Sequence, residues 1–160
     1  MKRFILLALL AYLGQHPPSL QAQNTEDASL TVTPSLGLGA ILDRGHFESG
    51  GAEALLEVEW TRSRLRWDAF ASFRGIGVGC SDGCDLSGEA FGVGVSYLLN
   101  RVGVGGGVGV LHQAWQWHLQ PHGQISVAFG AFRAQLRIEV PQGVDGVFFP
   151  ILWGLQVPIA

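Results

Sequence analysis

The chain has 160 residues, of which 48% are hydrophobic and 14% are charged, and its formal net charge is −3. So apolar a composition excludes an intrinsically disordered protein, and the absence of Lys and Arg clusters gives no support to nucleic-acid binding. No apolar run approaches the ~18 residues of a membrane-spanning helix, and the 23 glycines lack the three-residue period of collagen.

The N-terminus has the layout of a secretory signal peptide. Two basic residues precede an apolar run from Phe4 to Leu13, which is too short for a membrane anchor, and Ala22 offers a small residue for cleavage. Export of the protein follows from this leader. We predict three segments: a signal peptide over residues 1–22, a short N-terminal segment over residues 23–29, and one folded domain over residues 30–160.

Alternation of apolar with polar or small residues runs through almost the whole domain. It predicts eight β-strands of roughly the ~9–11 residues that cross a bilayer at a tilt. In chain order, the apolar faces of these strands begin at Leu30, Leu56, Leu65, Phe91, Val102, Ile125, Phe132 and Val147. Tight turns are predicted at Arg62-Ser63, Leu99-Asn100 and Ala131-Phe132, and longer loops over residues 43–51, 76–88, 112–123 and 141–146.

The second long loop contains the two cysteines of the chain, Cys80 and Cys84. Ser, Asp and Gly surround them, which is typical of an exposed turn. In an exported protein such a close pair predicts a disulfide that pins the loop. No second ligand pair for zinc accompanies them, and the three histidines of residues 112–122 are best explained as structural, so we predict no metal. The glycine-rich run over residues 102–110 lacks the Gly-x-Gly-x-x-Gly spacing, and we predict no cofactor.

The two faces of the predicted strands differ sharply in charge. One face is uncharged and rich in aromatic residues, although a soluble surface usually holds ~25–35% charged residues. We therefore predict that this face contacts lipid and that the charged face lines a narrow lumen, with Glu59 opposite Arg66. The predicted lumen ion cluster comprises Glu53, Glu57, Glu59, Arg66, Asp68, Arg74, Arg133, Arg137 and Glu139. The predicted aromatic girdle comprises Trp60, Trp67, Trp115, Trp117 and Trp153.

Short turns at one end, longer loops at the other and an even strand number are typical of outer-membrane β-barrels. With this pattern, and with Gly154 followed by alternating apolar residues up to Ile159, the chain resembles the small eight-stranded outer-membrane barrel proteins of Gram-negative bacteria. The resemblance implies an all-β fold, a single antiparallel up-and-down transmembrane barrel located in the bacterial outer membrane. It also implies two partners, outer-membrane lipid and the barrel-assembly machinery.

The predicted lumen favours a structural or surface-interaction role. An eight-stranded interior is just wide enough for side chains to fill, so the charged lumen predicts a plug, and the longer loops are left to bind an unspecified ligand. The outer-membrane lipid A deacylases share this architecture, but the penultimate strand Arg133–Glu139 lacks their His-x-Ser pair, and we predict no enzymatic activity. The alternative is a secreted or periplasmic soluble barrel that binds a hydrophobic small molecule with its apolar face inward.

Overall fold

The computed structural model describes residues 28–43, 46–78, 88–143 and 146–159. The predicted signal peptide and the predicted Cys80–Cys84 disulfide lie outside the described residues. The strands are β1 (Ser29–Asp43), β2 (His46–Arg62), β3 (Leu65–Val78), β4 (Gly88–Leu99), β5 (Val102–Gln113), β6 (Gln116–Phe129), β7 (Phe132–Glu139), β8 (Val147–Leu155) and β9 (Val157–Ile159). Within the described ranges, no helix is long and apolar enough to cross a membrane.

The strands form one antiparallel sheet that closes on itself, because β1 pairs with both β2 and β8. The short β9 continues along β1 in the register of β8, with Gly154 opposite Ser35 and Val157 opposite Val32. In this register the gap in the pairing of β1 falls at Thr33 and Pro34, and Pro34 has no N–H to offer a ladder. β8 and β9 therefore share the eighth position, and the predicted all-β antiparallel barrel of eight strands is confirmed.

Three two-residue turns lie at one end of the barrel, which we call the turn end. They are Ser63-Arg64, Asn100-Arg101 and Gly130-Ala131. The first residue of each has a positive φ, 57°, 57° and 63° respectively, a conformation that Gly and Asn adopt at the lowest cost. The carbonyl of each second residue accepts a backbone hydrogen bond from a later strand, for example from Leu98 to Arg64 at 2.8 Å. These bonds hold each turn against the next hairpin.

The first turn lies one residue later than the sequence predicts, which changes the pairing around it. Leu65 is opposite Arg62, so Glu59 is opposite Asp68, and the predicted pairing of Glu59 with Arg66 across the strands is wrong. Two acids therefore face each other directly on neighbouring strands, an arrangement that destabilises a sheet unless cations lie nearby.

The opposite end, which we call the loop end, has fewer long loops than predicted. The predicted loop over residues 112–123 is a strand hairpin, because β5 and β6 are separated by Ala114 and Trp115 alone. Both residues have positive φ, 45° and 67°, as a type I′ turn requires. The predicted loop over residues 43–51 is also mostly strand, since β2 begins at His46. Only residues 79–87 and 140–146 separate successive strands at this end by more than two residues.

The alternation along each strand separates the residues into an inner and an outer face. Charged and polar side chains, together with a small apolar core, are buried inside the barrel. That core comprises Ile41, Leu55, Phe70, Ala90, Leu111, Phe148 and Leu152. Large apolar residues cover the outside, among them Leu36, which is 70% exposed, and Leu38, which is 74% exposed. The outer face is thus the reverse of an ordinary soluble surface.

Candidate functional site

All nine charged residues of the predicted lumen ion cluster are buried. Each is at most 6% exposed. They belong to β2, β3 and β7, in which every second residue faces inward and most of the buried inward residues are charged. Arg137 and Glu139 have no exposed surface at all, so neither can be neutralised by bulk solvent. Charges this deeply buried require partners, and the side chains form two networks.

The turn-end network is organised around Arg133. Its guanidinium forms ion pairs with both Glu57 and Glu59. Glu59 is also 3.5 Å from the guanidinium of Arg66 and accepts a 2.8 Å hydrogen bond from the hydroxyl of Thr33. These contacts join β1, β2, β3 and β7, so they cross-link walls that do not pair as neighbouring strands.

Amide side chains extend this network across the lumen. Gln124 Nε2 lies 3.1 Å from Asp68 Oδ2 and 2.9 Å from Ser96 Oγ. Gln135 Nε2 lies 2.7 Å from Gln124 Oε1 and 3.3 Å from Glu57 Oε1. These uncharged partners are not among the predicted lumen residues. Their signal is their position on the inner face of β4, β6 and β7, where a polar side chain needs a hydrogen-bond partner.

The loop-end network is built on Arg74 and Arg137. Arg74 forms an ion pair with Glu139 and lies 3.7 Å from Glu53. Arg137 Nε is 3.4 Å from Glu139, which also accepts a 2.6 Å hydrogen bond from Gln120.

Both guanidinium groups of this network lie over aromatic rings. The Cζ of Arg74 is 4.0 Å from the ring centre of Phe148, and that of Arg137 is 4.1 Å from the ring centre of Phe70. Such cation–π contacts supply electrostatic stabilisation where no further carboxylate is available. Together the two networks occupy the lumen with side chains that contact one another across the barrel.

Two glycines of β4 leave space for inward-facing side chains of β3, the strand beside it. A β-carbon at Gly92 would lie 2.5 Å from Cε1 of Phe70, and one at Gly94 would lie 2.7 Å from a carboxylate oxygen of Asp68. Phe70 is opposite Gly92 on the adjacent strand, and Asp68 is opposite Gly94. The small residues therefore accommodate side chains from the strand beside them. The lumen is filled partly by side chains that lie flat against its wall.

We expect Gly92→Ala to lower the free energy of unfolding by about 1–3 kcal/mol, because Phe70 would have to leave its place. Gly123→Ala is the matched control, since no atom lies within 4 Å of the β-carbon it would add. The control should leave the stability unchanged or raise it by up to about 1 kcal/mol. Urea unfolding of the detergent-refolded protein, followed by tryptophan fluorescence, measures both. Equal effects of the two changes would show that the glycine does not serve the packing of Phe70.

The five predicted girdle tryptophans all lie on the outside, at two levels. Trp60 and Trp67 are opposite each other near the turn end, and Trp153 lies opposite Ala134 on β7. The remaining two belong to the loop end. Trp117 is opposite His112, while Trp115 forms the tip of the hairpin and is 93% exposed.

The three histidines of this region point to different places. His112 stacks on Trp117 outside the barrel, with ring centres 4.5 Å apart. His118 Nδ1 is 3.1 Å from the carbonyl of Gln142, and His122 packs edge-on against Phe70 inside the lumen. Among the described residues, no group of three or more His, Cys, Asp or Glu side chains could hold a metal ion.

A closed eight-stranded barrel with an ionic interior and an apolar exterior is the architecture of small outer-membrane proteins. No family model matches the chain, and no curated protein matches it. Two solved structures share its fold. Neisserial surface protein A is 13% identical, with a TM-score of 0.60, covering 82% of this chain and 99% of its own. The Yersinia pestis outer membrane protein Ail, in a phospholipid bilayer nanodisc, is 14% identical, with a TM-score of 0.53, covering 82% and 100%. The predicted resemblance to small eight-stranded outer-membrane barrels is confirmed at the level of the fold.

Proposed function

We propose that this protein is an integral outer-membrane barrel with a lumen plugged by side chains, and that its loop end serves surface interactions. The observation that carries the proposal is the outer face of the strands. Between Arg62 at the turn end and Glu48 and Glu89 at the loop end, every outward position of the described strands is uncharged and is apolar, aromatic or glycine. An outer surface that carries no charge along the strands between these residues matches the hydrocarbon layer of a bilayer and would be poorly solvated by water.

The soluble alternative has no support in the structure. It requires an apolar interior that receives a hydrophobic ligand, whereas the interior holds nine charged side chains and the apolar face points outward. We assign no catalytic role.

The surface-interaction role rests on the hairpin tip rather than on the four long loops that the sequence predicted. Trp115 has a φ of 67°, a backbone conformation that costs about 1–2 kcal/mol for a bulky residue. Gly or Asn would fit this position better, and a 93% exposed side chain contributes little packing in return. Strained backbone that presents an exposed aromatic side chain indicates a contact with a partner.

The orientation that the proposal requires can be tested with amine labelling, because Lys2 is the only lysine in the sequence. Two variants of the full chain, Trp115→Lys and Arg101→Lys, each add one amine, at the loop end and at the turn end. We expect a membrane-impermeant amine reagent to label the Trp115→Lys protein on intact cells. The Arg101→Lys protein should react only after the outer membrane is permeabilised, with the unsubstituted chain as the background. Labelling of the Arg101→Lys protein alone on intact cells, or of both proteins equally, would contradict the proposed orientation.

A further inference from the structure

Three exposed arginines lie in two turns at the turn end, and no described residue forms an ion pair with them. Arg62 ends β2, Arg64 belongs to the first turn, and Arg101 belongs to the second. Of the acids whose side chains the structure describes, five are buried in the lumen, and Glu48 and Glu89 are exposed at the loop end. None of the ion pairs formed by described residues includes these three arginines. Within the described part of the chain, the turn end thus presents positive charge that no neighbouring carboxylate neutralises.

A hydrogen bond fixes the direction of the Arg64 side chain. Its Nη1 donates a 3.1 Å hydrogen bond to the hydroxyl of Tyr97, which lies on the outer face of β4. This bond keeps the guanidinium beside the outer wall of the barrel. Arg101 belongs to the next turn along the chain at this end, and its carbonyl accepts a 2.8 Å hydrogen bond from Ala128 of β6. Both arginines thus belong to turns that end the apolar outer wall.

An apolar groove of about 370 Å³ opens on the outer wall of β3, β4 and β5, on the side of the barrel where the turns of Arg64 and Arg101 join these strands. Trp67, Val95 and Gly106 stand side by side on β3, β4 and β5, and Tyr97 is two residues from Val95 toward the turn end. Two residues of a strand span about 7 Å. Since Gly106 faces outward without a side chain, the wall is indented there, and Val93 and Val108 form the adjoining edge.

From this juxtaposition we propose a specific binding site for one anionic phospholipid, which rests on the membrane insertion proposed above. The phosphate and headgroup bind Arg64 and Arg101, since guanidinium groups are well suited to phosphate recognition and basic residues near a membrane surface attract anionic lipids. One acyl chain lies in the groove above Gly106. The leaflet is the one at the turn end, which faces the periplasm in barrels of this architecture.

A second groove on the outer wall differs from the first in the charge of its neighbouring turn. It is larger, about 580 Å³, and lies at the seam of the barrel between Leu36, Ala54, Leu56, Trp153 and Leu155. The neighbouring turn is Gly130-Ala131, which carries no charge. The seam groove thus offers apolar contact without an exposed cation at its turn, and it serves as an internal control.

The test uses the full chain reconstituted into nanodiscs that contain phosphatidylglycerol and phosphatidylcholine in equal amounts. Lipid that remains bound after transfer to detergent is counted by native mass spectrometry. We expect the unsubstituted protein to retain phosphatidylglycerol preferentially. The variant Arg64→Gln/Arg101→Gln should reduce this preference about 25-fold, or roughly five-fold for each arginine. Val95→Trp, which fills the groove, should also reduce retention, whereas Leu56→Trp in the seam groove should not.

Each variant is also run on a detergent gel with and without boiling, so that loss of folding is recognised separately. A chain that fails to enter the nanodisc at all would contradict the proposed membrane insertion. A chain that inserts but retains both lipids equally would overturn the lipid site and leave the insertion intact. Unchanged retention by the double arginine variant, or equal losses in Val95→Trp and Leu56→Trp, would overturn it as well.

Discussion

Arg133→Met is expected to lower the free energy of unfolding by about 3–5 kcal/mol, the usual consequence of removing one partner from a buried ion pair. Arg133 is 2% exposed and pairs with two carboxylates at once. Without it, Glu59 keeps Arg66 and Thr33 as partners, whereas Glu57 keeps only the amide of Gln135 at 3.3 Å. The change therefore leaves Glu57 as an uncompensated charge inside the barrel. Urea titration of the protein folded in lipid vesicles measures the loss.

The matched control also removes the negative charge of Glu57, which Arg133→Met leaves without a cation. Arg133→Met/Glu57→Gln should recover a large part of the stability, because a neutral amide is less costly to bury than an unpaired carboxylate. Arg62→Met, which removes an exposed arginine at the turn end, should change the stability by no more than about 0.5 kcal/mol. If Arg133→Met had no larger effect than Arg62→Met, the turn-end network would not be a buried ionic plug.

Leu38→Arg is expected to destabilise the folded protein in a bilayer by about 2–4 kcal/mol, as a charge at the membrane midplane does on the outside of a barrel. Leu38 lies in the middle of β1, opposite Ile151 on β8 and Ala52 on β2, and is 74% exposed. In water, arginine at so exposed a position would change stability by at most about 0.5 kcal/mol. The size of the effect in lipid vesicles therefore reports directly which medium surrounds the outer face.

Leu99→Arg is the control for this effect, because it introduces the same charge at the turn end of β4. Leu99 is 54% exposed and directly precedes the Asn100-Arg101 turn, so the guanidinium reaches the interface and the expected loss is about 0–1 kcal/mol. A depth-dependent difference between the two variants is the expected result. Two small and equal effects would indicate an aqueous surface and contradict the membrane placement.

Much of the fold follows from alternation alone. Arg66, Asp68 and Arg74 point inward on β3 because residues two apart share a face, and this remains true wherever the turn before them is placed. For the same reason the inward charge of the lumen could be deduced without any knowledge of pairing. The error of one residue at the first turn moved Glu59 from Arg66 to Asp68 without changing the face of either strand.

The contacts across the lumen could not be derived from the sequence. Arg133 and Glu57 are 76 residues apart, and their contact depends on the stagger with which eight strands close into a barrel. Strand ends were equally hard to place. The Ala114-Trp115 turn has none of the Asn-Gly or Asp-Gly chemistry that marks a type I′ turn, and Pro121 lies within a paired strand opposite Val108.

The apolar face is proposed to contact lipid, and the ionic face to fill the lumen. The most direct test is to express the full chain in a Gram-negative host, separate the membranes, and run the outer-membrane fraction on a detergent gel with and without boiling. We expect a protein in that fraction whose mobility changes on heating, as a folded barrel unfolds. A protein found soluble in the periplasm, with the same mobility before and after heating, would contradict it.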